Sequence, residues 1–138
     1  MQSLARREYS RAELHTKLLP HATPDDNLDA VLDELVTRGW LSDTRAAEQM
    51  VRTRRSRFGT QRIMHELEQK GISDELISAA LPQLEQGELE AAREVWQKKF
   101  GIAPLDAKEK AKQMRFLQSR GFALDVVFEV LRADEAED

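Results

Sequence analysis

The sequence predicts an all-α fold of tandem three-helix repeats that form an elongated, curved helical array. Helical periodicity runs through nearly every segment, and no stretch alternates apolar and polar residues long enough to predict a strand. One helix ending, Leu-x-x-(Lys/Arg)-Gly followed by a large apolar residue, occurs at 35–40, 67–72 and 117–122. Three copies in 138 residues indicate an internal repeat, and such units mainly contact their neighbours.

Each expected helix begins at a cap signal. Ser10 and Glu13 form a capping box, Pro24 follows a threonine at a first helical position, and Ser42 and Ser73 are N-cap residues. The expected helices cover 10–19, 24–38, 43–56, 59–70, 74–82, 87–100, 106–120 and 123–132.

The repeated ending predicts a Schellman motif. Gly39, Gly71 and Gly121 would take the left-handed conformation, and the leucine would contact the apolar residue that follows the glycine. We expect in the core four aromatic residues that lie on apolar stripes or directly after such a glycine. The four are Trp40, Trp96, Phe100 and Phe122. Phe116 would either pack against the neighbouring unit or be exposed for a partner, and we favour packing.

These signals divide the chain into three repeats, at 1–57, 58–101 and 102–138. Residues 1–9 would be a leading helical turn or a truncated leading helix. The third repeat is partial and ends in an acidic tail. Gly101–Leu105, which holds a glycine and a proline, is the expected linker.

Composition excludes several classes of protein. The chain has no cysteine, which excludes disulfides, thiolate metal sites, iron–sulfur clusters and a catalytic thiol. The three histidines lack metal-ligand spacing, and no nucleotide-binding or nucleophile motif occurs. We expect no catalytic residue, no cofactor and no metal. No apolar run approaches the roughly 18 residues of a membrane span, and the N-terminus is too polar for a signal peptide, so we expect a cytoplasmic protein.

Positive charge is concentrated although the chain carries a net charge of −4. Residues 51–63 hold five arginines and no acidic residue. Arginine is suited to planar, bidentate contacts with phosphate or carboxylate. Helical spacing places Arg45, Arg52 and Arg55 on one solvent face, whereas Arg54 would snorkel or pair at a seam between helices.

We predict a surface that binds a partner or nucleic acid through Arg52, Arg55, Arg57, Arg62 and Lys70. A secondary set, in which acidic residues dilute the lysines, comprises Arg45, Lys98, Lys99, Lys108, Lys112 and Arg115. The alternative reading of each is an ordinary solvated helix face.

Four segments in order along the chain resemble the signatures of the bacterial regulatory protein RecX family. Gly39-Trp-Leu-Ser-Asp is followed closely by Arg-Ala-Ala, and Phe58-Gly-Thr-Gln-Arg-Ile precedes Glu-Leu and Lys-Gly-Ile. The segments lie at 6–14, 39–47, 58–72 and 115–122. Together they span nearly the whole chain.

The resemblance implies tandem three-helix repeats and a monomer that binds the RecA recombinase, particularly its filament on single-stranded DNA. Family members inhibit the ATPase, filament extension and strand exchange of RecA, and so modulate recombination, DNA repair and the SOS response. Two other classes stay open from the residues alone: a general helical DNA-binding module, and a helical-repeat scaffold for another protein partner.

Overall fold

The computed structural model describes residues 7–137, with side chains described through residue 132. Over these residues the chain is entirely helical, as the sequence predicts. A 3-10 turn at Leu19–His21 follows the first helix. The α-helices are α1 (Arg11–Leu18), α2 (Leu28–Thr37), α3 (Asp43–Arg54), α4 (Thr60–Gln69), α5 (Asp74–Gln86), α6 (Glu88–Lys99), α7 (Ala107–Ser119) and α8 (Leu124–Glu137).

Two expectations concern the chain ends. Residues 7–9 precede α1 without helical structure, and residues 1–6, the rest of the expected leading helix, lie outside the described part. The side chains of the acidic tail also lie outside it. Of the helices described, none combines the length and the apolar character that a membrane crossing requires.

Side-chain caps start most of the helices where the sequence places them. The hydroxyl of Ser10 accepts from the amide of Glu13 at 3.0 Å, and the Glu13 carboxylate accepts from the amide of Ser10 at 3.0 Å. Ser42 and Ser73 cap α3 and α5. The start of α2 differs, because the Asp26 carboxylate accepts from the amide of Thr23 at 2.7 Å and holds a turn there. Helix α2 therefore begins later and is capped by Asn27.

The three repeated endings are Schellman motifs. The glycines have φ of 76°, 77° and 91°. In each motif the apolar residue after the glycine donates its amide to the leucine carbonyl, over 2.9 to 3.3 Å. These bonds satisfy carbonyls that the last helical turn leaves without a partner.

The expectation of a buried Trp40 is wrong. Its side chain is 68% exposed, whereas Ile72 and Phe122 at the corresponding positions are 5% and 2% exposed. The reason lies in the next residue, since Leu41 also bonds its amide to the Leu35 carbonyl and takes the buried position. The Arg38 guanidinium covers the Trp40 ring instead, 5.5 Å from its centroid.

Among the described residues, two core clusters each join three helices. Helices α3, α4 and α5 share one cluster, centred on Ile63 and Leu67, which are fully buried. Helices α6, α7 and α8 share the other, which contains Trp96 and Phe122. The second and third units thus begin at α3 and α6, each one helix earlier than the repeats expected over 1–57, 58–101 and 102–138. Phe116 packs edge-on against Phe100, with ring centroids 5.5 Å apart.

Two helices begin directly against the end of another helix: α4 against the end of α7, and α1 against the end of α4. At the α4/α7 junction, the amides of Gly59 and Gln61 donate to the carbonyls of Arg120 at 2.7 Å and Gly121 at 3.2 Å. Free amides at the start of α4 are thus satisfied by free carbonyls at the end of α7, with the opposite ends of the two helix dipoles adjacent. At the α1/α4 junction, the Ser10 hydroxyl donates to the Lys70 carbonyl at 2.5 Å.

Helices α3 and α6 each begin with a carboxylate residue that caps a helix outside its own three-helix cluster. Asp43 accepts from the amide of Arg11, the first residue of α1, at 2.7 Å. Glu88 accepts from the amide of Thr60, the first residue of α4, at 2.9 Å, and from Ala123 before α8 at 3.0 Å. Glu88 is only 5% exposed, so its charge lies among the amides that it caps.

We expect Gly71→Ala to destabilise the fold more than Gly39→Ala. Both glycines have nearly the same φ, so both substitutions incur the cost of left-handed backbone, about 1–2 kcal/mol. A Cβ at Gly39 would meet nothing, whereas one at Gly71 would lie 2.4 Å from the Cβ of Ala12 across the α1/α4 junction. Free energies of unfolding from urea titration measure the difference.

The double variant Ala12→Gly with Gly71→Ala serves as the control for the contact. The double variant removes the Ala12 Cβ that would collide with the new one. Its loss in free energy of unfolding should therefore be smaller than the sum of the losses for Ala12→Gly and Gly71→Ala. Equal losses for Gly39→Ala and Gly71→Ala would contradict the close approach of α1 to the end of α4.

Candidate binding surface

The structure distributes the predicted basic residues over separate places. Arg57 and Arg62 lie beside the α4/α7 junction, and Lys70 lies at the α1/α4 junction. Arg52 and Arg55 instead face grooves between α3 and the α5–α6 segment. The predicted residues therefore do not form one continuous patch.

Arg55 is half-buried and bonds within the fold, rather than lying freely on the solvent face as expected. The end of α5 lies over its side chain, which donates to the Leu84 carbonyl and, at 3.4 Å, to the Thr60 hydroxyl. Burial lowers the pKa of the Arg55 guanidinium, and the nearby Glu88 carboxylate partly offsets this effect.

Arg52 is exposed as predicted, but its surroundings contain several carboxylates. It lines a groove with Glu48 between α3 and α5, and this groove continues to Glu90 and Glu94. These acidic side chains reduce the positive potential that a phosphate or carboxylate of a partner would meet.

Three other cations are paired within the molecule. The Lys70 ammonium lies 3.1 Å from the Glu13 carboxylate, and Arg45 lies 3.1 Å from Glu8. Arg54 pairs with Glu66 of α4 at 2.9 Å, which confirms the predicted seam contact. For Lys70 and Arg45, binding a partner would require breaking or sharing these pairs.

Four cations and two aromatic rings lie together across the α4/α7 junction. We call the junction surface the set Arg57, Phe58, Arg62, Lys99, Phe116 and Arg120. Three guanidinium groups lie 4.5 to 5.5 Å from the centroid of the Phe58 ring. The Arg120 guanidinium and the Lys99 ammonium lie 5.0 and 5.2 Å from the Phe116 centroid.

The cations of the junction surface have no carboxylate partner within 4 Å among the described residues. The aromatic rings hold them in place through cation–π contacts, which leave their charge uncompensated. Arg57, Arg62 and Lys99 are exposed, and Arg120 is half-buried. The surface can therefore offer hydrogen-bond donors to phosphates or carboxylates and flat groups for stacking on bases.

Sequence reasoning missed Arg120 and the two phenylalanines as members of this surface. The sequence marks Arg120 through a helix ending and the segment 115–122, and it favours packing for Phe116 over exposure to a partner. They meet Arg57 and Arg62 because the start of α4 abuts the end of α7, a tertiary contact between distant segments. Neither the repeated helix ending nor the segment 115–122 indicates that Arg120 lies beside Arg57 and Arg62.

The secondary set lies mainly around the loop between α6 and α7. Lys99, Lys108, Lys112 and Arg115 line a groove beside this loop, and Lys98 is exposed near the end of α6. Within the part of the chain that the structure describes, no group of three or more acidic or histidine side chains could hold a metal ion.

Sequence-family comparisons match both three-helix clusters. Residues 42–81, which span α3–α5, match the second three-helix domain of RecX, and residues 86–131, which span α6–α8, match the third. The chain is 50% identical to the regulatory protein RecX of Leptothrix cholodnii over 139 aligned residues, covering all of this chain and 88% of the relative. Tandem three-helix repeats, predicted from the sequence, are thereby confirmed.

Two further regulatory proteins RecX show similar identity to this chain. The regulatory protein RecX of Ralstonia nicotianae is 44% identical over 96% of this chain and 84% of its own, and that of Chromobacterium violaceum is 45% identical over 98% and 88%. Each of these relatives is named a regulatory protein and none an enzyme, in agreement with the expectation that the chain is not an enzyme.

Solved structures share the fold. The crystal structure of RecX from Lactobacillus salivarius superposes with a TM-score of 0.78 at 21% identity, covering 98% of this chain and 91% of that one. A second crystal structure of a regulatory protein RecX gives 0.77 at 24% identity, over 96% of this chain and 68% of that one.

We expect Arg55→Ala and Arg52→Ala to separate structural from exposed arginines. Loss of the Arg55 bonds to Leu84 and Thr60 should lower the free energy of unfolding by about 1–3 kcal/mol. Loss of the exposed Arg52 side chain should change it by less than about 0.5 kcal/mol. Thermal and urea unfolding of both variants measure this, and equal stabilities would contradict the structural role of Arg55.

Proposed function

The chain belongs to the RecX family of regulatory proteins, and we propose that it binds and restrains the RecA recombinase filament on single-stranded DNA. We infer that the junction surface makes the main contact. The observation that carries the proposal is a set of four cations, held by two aromatic rings, that no described carboxylate neutralises.

A nucleoprotein filament presents both chemistries that the junction surface fits. Phosphates accept bidentate bonds from guanidinium groups, and bases stack on guanidinium planes. The carboxylates of a recombinase protomer are a second target for the same groups. A surface of this kind can therefore bind where a strand and its protein coat are close together.

The charge of the whole chain favours a filament over naked DNA as the target. Four cations on a chain of net charge −4 neutralise only a few phosphates. Because electrostatic binding to DNA scales with the number of neutralised phosphates, affinity for naked DNA should be weak at physiological salt. Contacts with the protein component add affinity that DNA alone does not supply.

We propose inhibition by occupancy. Neighbouring three-helix units linked through the α4/α7 junction could contact more than one filament protomer, and linked weak contacts raise the overall affinity. A bound molecule would impede ATP turnover, filament extension and strand exchange without a covalent step or cofactor. Recombination and DNA repair would be modulated in the cytoplasm by a monomer of this protein.

We expect Arg57→Glu with Arg62→Glu to weaken binding to RecA filaments on single-stranded DNA by about tenfold or more, equivalent to about 1.4 kcal/mol. Reversal of two exposed charges should repel phosphates and carboxylates alike, while the melting temperature changes little. Fluorescence anisotropy of labelled filaments measures the affinity, and ATPase inhibition measures the effect.

The matched control is Arg93→Glu with Arg132→Glu. Both arginines are exposed, lie on α6 and α8 outside the junction surface, and make the same change in net charge. If the control weakens filament binding as much as the junction variant does, binding depends on total charge and the assignment of the junction surface is wrong.

Naked single-stranded DNA distinguishes a general DNA-binding module from a filament regulator. For a module that binds DNA alone, the logarithm of the binding constant should fall with that of salt concentration by about 0.7 per phosphate contact. The proposal expects binding to filaments at a salt concentration where naked DNA is no longer bound. Equal affinities for both would favour the general module.

A further inference from the structure

We propose that the loop between α6 and α7 is a second binding surface, which docks a short segment of a partner protein that carries both acidic and aliphatic side chains. We call this the loop surface. It comprises Ile102 and Leu105 with a rim of Lys99, Lys108, Lys112 and Arg115.

The loop holds the two large apolar residues with the highest fractional exposure among those described. Leu105 is 92% exposed and Ile102 is 70% exposed, the two highest values among the large apolar residues described. Single exposed aliphatic residues are common on protein surfaces. Here two of them line the same groove, where one aliphatic segment could cover both.

Buried hydrogen bonds hold the loop in shape. The Gln113 side chain, 2% exposed, donates to the Ile102 carbonyl at 3.1 Å and accepts from the Trp96 indole at 2.8 Å. The amide of Gly101 donates to the Trp96 carbonyl at 3.2 Å. Binding to a loop that is already ordered loses little conformational entropy, which favours affinity.

The charge around the loop is positive toward a partner. The two carboxylates that line the groove accept bonds within the protein, Asp106 from the amide of Glu109 at 2.8 Å and Glu109 from Gln113 at 3.4 Å. The cations Lys108, Lys112 and Arg115 make no ion pair among the described residues. Four cations against two carboxylates leave the lining with an excess of positive charge, so charge complementarity favours an acidic segment.

The aliphatic side chains favour a protein segment over nucleic acid. Phosphates offer nothing apolar to cover Ile102 and Leu105, and bases stack on aromatic or guanidinium planes. Burial of aliphatic surface is favourable when the partner supplies aliphatic groups in return. An acidic segment with leucine or isoleucine satisfies both the groove and its rim.

Lys99 belongs to both surfaces, so the loop surface continues from the junction surface. If the function proposed above holds, the junction surface contacts the strand and the loop surface contacts the protein coat of the filament. That division of roles rests on the proposed function. The test below uses neither RecA nor DNA filaments, so its outcome is independent of it.

The experiment measures the anisotropy of a short fluorescein-labelled peptide of Leu, Asp and Glu, compared with the same peptide carrying Ser in place of Leu. The parent protein should bind the leucine peptide about tenfold more tightly than the serine peptide. Ile102→Ser with Leu105→Ser should remove that preference, and Lys108→Ala with Lys112→Ala should weaken both peptides. The control is Leu19→Ser with Leu124→Ser, which alters two exposed leucines elsewhere.

Three results would overturn the proposal. The first is equal binding of the leucine peptide by the parent and the Ile102→Ser, Leu105→Ser variant. The second is loss of oligothymidine binding in that variant, which would assign the loop to nucleic acid. The third is a parent dimer in analytical ultracentrifugation that the variant abolishes, which would assign the loop to a second copy of the chain.

Discussion

The end-to-end contact between α4 and α7 is the constraint on which the arrangement of the second and third units depends. A Cβ at Gly59 would lie 2.4 Å from the carbonyl oxygen of Gly121, and one at Gly121 would lie 2.4 Å from the Cβ of Arg62. Neither position has room for a side chain. The close approach lets amides at one helix start bond directly to carbonyls at another helix end, so each helix end completes the other.

Glu88 extends this constraint to two further elements. Its carboxylate bonds to the first amide of α4 and to an amide before α8, so a residue of α6 joins the two three-helix clusters. Arg55 adds a link from the end of α3 to the Leu84 carbonyl in α5. The relative position of Phe58 and Phe116, and with it the continuity of the junction surface, follows from these contacts.

Local features could be predicted from the sequence. The Ser10 capping box and the Gly71 ending depend on residues within one or two helical turns, and both form as predicted. Features that depend on distant segments could not be predicted. Arg55 lies on the expected helix, but the end of α5 covers it, and Trp40 is exposed because Leu41 takes its place in the core.

The residues of the proposed binding surface divide in the same way, into those that local sequence reveals and those that depend on contacts between distant segments. The arginine-rich stretch marked Arg57 and Arg62, since composition alone reveals it. Arg120 joins them only through the α4/α7 junction, and repeat patterns do not specify which helix ends meet. A sequence repeat thus indicates three-helix units and their endings but not the helix at which each unit begins, whereas the close contact between Gly59 and Gly121 decides which charges share a surface.

Hydrogen exchange at the amide of Gly59 tests this account most directly. This amide precedes α4, and its acceptor is the Arg120 carbonyl at 2.7 Å in another three-helix unit. The account predicts that NMR-detected exchange at Gly59 is slowed as much as exchange at buried amides within α4. Exchange at the rate of an unstructured peptide would contradict the junction and the continuous surface built on it.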